Sequence, residues 1–176
     1  MEENKGGKVL NLSGYFSVSF EGHKNGDKGL KGVTEVIFEE GANVNLNDVR
    51  RIPKNIDFSK LGDVGLRKAH LDKYDVVKFS KDAKVNLSYI ERGPRVLDVS
   101  MCRECILAGS TLDGTEKIIM RDRKQLEETL YNIHYGLDRI EFREDTGNKN
   151  IKSNNTGPDN DTPLFIAQMR SERSLG

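Results

Sequence analysis

VIFEEGANVNLNDVRRIPKNIDFSKLGDVGLRKAHLDKYDVVKF, residues 36–79, carries one short pattern three times: Val36-Ile37-Phe38, Ile56-Asp57-Phe58 and Val77-Lys78-Phe79. The same apolar-x-apolar triplet returns as Leu97-Asp98-Val99, Ile118-Ile119-Met120 and Ile140-Glu141-Phe142, at intervals of 20 to 22 residues. A second apolar pair follows at a fixed offset. Val44/Leu46, Val64/Leu66, Val85/Leu87 and Cys105/Leu107 stand six and eight residues after Phe38, Phe58, Phe79 and Val99. Both pairs alternate with period two, which places two side chains inward and one outward on a short strand. A third, looser apolar position follows at Val49, Ile52, Leu71, Ile90 and Leu112. A fixed period of this length is the signature of stacked repeats in which each unit buries its apolar side against its neighbours.

Alternate units agree more closely than adjacent ones. Phe38, Phe79 and Met120 are 41 residues apart, and so are Pro53/Pro94, Asp57/Asp98, Ser59/Ser100, Asn45-Leu46/Asn86-Leu87 and Leu71-Asp72/Leu112-Asp113. The expected fold is therefore mainly β, a single-domain solenoid of five to six rungs over residues 34–144.

Over Thr34 to Phe142 the pattern resembles the short, β-rich, leucine-rich-repeat-like arrays of bacterial proteins, broadly of the BspA type. The anchor here is Phe where those arrays carry Leu, and a right-handed β-helix of similar rung length is the alternative. The resemblance implies recognition of other macromolecules and brings no catalytic residues.

The ends are read separately, because a solenoid's terminal rungs must be covered. Residues 1–33 are expected to form an N-terminal cap: two short strands, Val9 to Leu12 and Tyr15 to Phe20, then a Gly-rich loop. At the other end Leu126, Leu130, Ile133 and Leu137 fall at helical spacing, and Glu128 stands where an inward residue belongs. This predicts a capping helix over Arg123–Tyr135 and a last strand over Arg139–Arg143. Residues 145–176 read as a flexible tail rich in Asn, Asp and Gly. Thr162-Pro163 there resembles a helix start that would let Leu164, Phe165, Ile166 and Met169 dock.

Charge narrows the partners. With 28 basic and 28 acidic residues the formal net charge is zero, so no strong field favours nucleic acid or an anionic membrane. The polar start, without a long apolar run, gives no signal peptide or span, and a cytoplasmic location is the default expectation.

Several motifs bear on chemistry. Cys102 and Cys105 form Cys-x-x-Cys, a spacing used for zinc and redox work. Their register instead matches Leu61 and Val44, Val64 and Val85, so core packing is the expectation. His23, His70 and His134 show no ligand spacing, and neither metal nor cofactor is expected. Gly26-Asp27-Lys28-Gly29 lacks the spacing of a phosphate loop.

The outward ladder Ile37, Asp57, Lys78, Asp98, Ile119 and Glu141 is the candidate recognition surface. Ile37, Asp57, Lys78, Asp98 and Ile119 are the expected protein-binding residues. At about 4.8 Å per rung, Asp57, Lys78 and Asp98 would alternate in sign and attract one another. Ser59, Ser80 and Ser100 form a hydroxyl ladder beside them. An Asp57/Asp98 carboxylate pair would suit a carbohydrate-active β-helix, but Lys78 between them would depress both and disfavour a general acid. The expectation is a non-enzymatic scaffold for a protein partner. A carbohydrate-active enzyme or a structural fragment of a longer repeat protein are the alternatives.

Overall fold

The computed structural model describes residues 7–20, 30–130 and 137–143, all within one unit, Met1–Glu144. The expected tail and its docking segment lie outside the described residues, as do the Gly-rich loop over 21–29 and residues 131–136 of the expected helix.

The protein is a mainly β solenoid whose parallel strands occupy two of its sides. On the first side run β1 (Lys8–Leu12), β3 (Val33–Phe38), β6 (Val76–Lys78), β8 (Val96–Asp98), β10 (Lys117–Met120) and β11 (Ile140–Phe142). On the second side β2 (Ser17–Ser19), β4 (Asn43–Asn45), β5 (Val64–Gly65), β7 (Lys84–Asn86) and β9 (Glu104–Ile106) make one continuous five-stranded sheet. Register follows the repeat: Val44 pairs with Val64, Val64 with Val85, and Val85 with Cys105. The third side consists of turns.

These short strands persist because stacking shares the burial. Leu46, Leu66, Leu87 and Leu107 form a column at 0 % exposure, with Ile52, Leu71, Ile90 and Leu112 buried behind it. Phe58 sits against Phe79 with ring centroids 5.9 Å apart and against Tyr74 at 5.4 Å, both tilted. Burying each such side chain contributes about 1.5–3 kcal/mol relative to exposure. The Tyr74 hydroxyl, buried with its ring, donates to the Pro53 carbonyl of the preceding rung, and burial pushes its pKa up.

Two findings revise the expected ends and sides. The two strands expected at the N-terminus are present as β1 and β2, and they stack as a further rung: β1 pairs in parallel with β3, Leu10 against Val36 and Leu12 against Phe38, and β2 pairs with β4, Val18 against Val44. Secondly, the first side is interrupted. Asp57 accepts from the Ser59 amide and turns Phe58–Lys60 into a single 3-10 turn, so β1-β3 and β6-β8-β10-β11 are separate sheets.

At the C-terminal end helix α1 (Arg123–Leu130) replaces the strand that would follow β9 in the second sheet. Asp122 caps it, accepting from the Gln125 amide at 2.8 Å. Gln125 is buried and donates to the Val99 carbonyl at 2.8 Å, pinning the helix to the rung before it. Glu128 is exposed, and Leu126 packs on the core. The last strand, expected over Arg139–Arg143, is β11. Arg139 anchors it, donating to the carbonyls of Thr111, Leu112 and Thr115 at 3.2, 3.0 and 2.7 Å.

Candidate functional site

The outward positions of the first side fall into two ladders. Lys78 is in register with Asp98, Asp98 with Ile119, and Ile119 with Glu141. Val76 is in register with Val96, and Val96 with Lys117. Lys78, Asp98 and Ile119 therefore stand together on neighbouring strands. Ile37, 41 % exposed, belongs to the separate β1-β3 pair, with Asn11 beside it. Asp57 is on the intervening turn rather than on a strand.

The expected mutual attraction of Asp57, Lys78 and Asp98 is not how these charges are satisfied. The Asp57 carboxylate accepts from the Ser59 hydroxyl at 2.5 Å and faces Lys60 at 3.8 Å. Asp98 accepts from the Ser100 amide and hydroxyl at 3.0 and 2.6 Å. A hydroxyl two residues along the same chain reaches the carboxylate first, making a local turn. The serine ladder is thus divided: Ser59 and Ser100 serve their aspartates, while the Ser80 hydroxyl donates to the Leu61 carbonyl. Lys78 has no ion pair among the described residues, although Asp98 is its cross-strand neighbour.

Sequence reasoning missed the valines beside it. Val76 is 50 % exposed and meets half-buried Val96, so an apolar strip adjoins Lys78 and Ile119. Its signal was Val76-Val77: on an alternating strand, one of two successive valines must point outward.

The second sheet presents a broad shallow groove lined by Ser17, Ser19, Asn43, Asn45, Lys84 and Asn86 among others. Its polar groups serve the array itself. Asn43 Oδ1 accepts from the Asp63 amide at 2.8 Å, Asp63 Oδ1 from the Lys84 amide at 2.9 Å, and Lys84 Nζ meets Glu104 at 3.1 Å. Gly65 leaves room for the Asn47 amide, which would stand 2.9 Å from an added Cβ while its Oδ1 accepts from the Arg67 amide.

Cys102 and Cys105 are buried free thiols. Burial pushes the Cys102 pKa up to about 12 and raises that of Cys105 well above the ordinary value. Such thiols are poor nucleophiles, as the core reading requires. Among the described residues, no three His, Cys, Asp or Glu side chains are grouped so as to hold a metal ion, and no helix is long and apolar enough to cross a membrane.

In comparisons with known proteins, no family model, no curated protein and no solved structure matches the chain.

Proposed function

We propose that the protein is a non-enzymatic repeat scaffold that binds a protein partner through the first side of the solenoid. The observation that carries this reading is Lys78, exposed and without an ion pair among the described residues, beside the outward side chains of Val76 and Val96, with Ile119 on the strand beyond Asp98. An apolar strip beside an exposed cation suits a partner surface that brings an aliphatic contact and a carboxylate. Asp57 and Ile37 extend the contact toward the first rungs, and Asp98 toward the later ones. The short rungs and their apolar-x-apolar anchors support placing the array among the bacterial, leucine-rich-repeat-like BspA type, acting in the cytoplasm. Asp57 and Asp98, each engaged by a serine hydroxyl, favour binding over hydrolysis.

The test is site-specific photocrosslinking in the native host. A benzophenone side chain replaces Val96 on the first side or Asn43 on the second. Binding as proposed gives a discrete adduct from position 96 alone, abolished by K78E. Equal adducts from both positions, or an adduct indifferent to K78E, would reject this face.

A further inference from the structure

The third side carries a charge distribution that the balanced total conceals. The turn over residues 48–54 holds three basic residues and one acidic, and so does the turn over 67–74. Farther along, the turn over 89–95 holds two basic and one acidic, and that over 109–115 only Asp113. The first two turns lie directly against each other: the Asp48 amide donates to the Arg67 carbonyl at 2.7 Å, and the Tyr74 hydroxyl bonds the Pro53 carbonyl. Within these turns Asp48 takes Arg67 at 2.5 Å and Lys68 at 3.6 Å. Arg50, Lys54 and Lys73 are exposed and have no ion pair among the described residues. On the following turns the basic residues are matched: Arg92 meets Asp72, and Arg95 meets both Asp75 and Glu116.

From this we infer that the turns over 48–54 and 67–74 form a docking site for a short acidic peptide segment of a partner protein, held by Arg50, Lys54 and Lys73. Toward the later rungs the site is bounded. Rungs are about 4.8 Å apart, so two turns offer a patch only a few side chains wide. A duplex or other long polyanion running along the axis would meet Glu91, Asp113 and Glu116 within the next two rungs. A segment of a few Asp or Glu residues matches the patch in extent and sign. The site is independent of the Lys78 face, although Lys54 leads directly into Asn55 and Asp57 on that side, so one partner can span both.

The probe is a fluorescein-labelled deca-glutamate peptide, titrated with the full chain and read by fluorescence anisotropy. Saturable binding is expected, weakened by salt. The triple variant R50E/K54E/K73E should bind at least tenfold more weakly, and R50A/K54A/K73A should also weaken binding. A control of equal charge change, K8E/K81E/R103E, should stay within twofold of the parent. Equal loss in patch and control variants would mean diffuse electrostatics and overturn the site, as would absence of saturable binding. Tighter patch-dependent binding of a DNA duplex than of the peptide would overturn the peptide in favour of nucleic acid. None of these outcomes depends on Lys78.

Discussion

Asp75 and Arg95, 20 residues apart in the chain, meet side by side: Nε of the guanidinium lies 2.6 Å from one carboxylate oxygen and Nη2 lies 3.1 Å from the other. The same arginine reaches Glu116 on the next rung at 3.4 Å. This is the alternating-sign ladder of the protein. Asp48–Arg67, Asp72–Arg92 and Lys84–Glu104 repeat the device elsewhere, each joining a rung to its neighbour. A chain with 32 % charged residues and no net charge is thereby stitched along its axis.

The ladder makes stability depend on pH and salt in a defined direction. Arg95 holds the Asp75 carboxyl below its usual range by hydrogen bonding and charge, and Arg67 does so for Asp48. A carboxyl with a lowered folded pKa stabilises fully above its unfolded pKa of about 3.9, and the contribution fades as pH falls through the folded value. R95Q should therefore be less stable than the parent in urea unfolding at pH 7, with the gap closing toward pH 2 and narrowing in 1 M salt. A gap that persists undiminished at pH 2 would assign the loss to packing of the arginine stem instead.

Gln125 makes a different prediction, because its amide is buried. It donates to the Val99 carbonyl at 2.8 Å and accepts from the Arg121 amide at 2.7 Å. Q125A strands both backbone groups and should cost about 1–3 kcal/mol. Q125E should be no better, since a carboxylate cannot donate to Val99. Hydrogen exchange ought to rise across α1 and β10 in both variants. A Q125E protein with parental stability would show that the helix is held by Leu126 rather than by this bond.

Much of this architecture was legible, and the failures have local causes. The offsets of six and eight residues gave the correct pairing of Val44, Val64, Val85 and Cys105, because a stacked core tolerates no slip of register. The first rung is masked in the sequence because Leu12 and Phe38 are 26 residues apart, longer than the repeat, although Val18 and Phe20 keep the offsets of six and eight from Leu12. The alternating-sign ladder expected at Asp57, Lys78 and Asp98 does not form there. It lies instead at Asp75, Arg95 and Glu116, where no serine two residues on captures the acid. Periodicity locates inward residues well. It says little about which outward charge finds which partner, since local hydrogen bonds compete.

The cysteines should behave as core residues in solution. With Cys102 pushed up to about 12, the thiolate fraction at pH 8 is roughly one in ten thousand. Neither thiol should react with iodoacetamide at pH 8 until the chain is unfolded in guanidinium. Replacing Cys105 by valine, the residue in register at Val85, should change stability by less than about 1.5 kcal/mol. Rapid alkylation of the folded protein would contradict this packing.

In four successive rungs, after β4, β5, β7 and β9, the chain enters the third side through a left-handed residue: Asp48, Lys68, Tyr89 and Gly109, with φ of 62°, 57°, 57° and 66°. Glycine alone adopts this conformation without cost, and at Gly109 a second demand applies. The Tyr89 ring of the preceding rung lies across it, so an added Cβ would stand 2.7 Å from two ring atoms. G109A should therefore cost about 1–2 kcal/mol for the backbone alone, and more because the ring must move. In a Y89G background the ring is gone and only the backbone cost remains. A double-mutant cycle measured by urea unfolding should give a coupling of at least about 0.5 kcal/mol. Additive effects would mean that Tyr89, 53 % exposed, swings clear of Gly109 without loss and contributes nothing to the stacking of these two rungs.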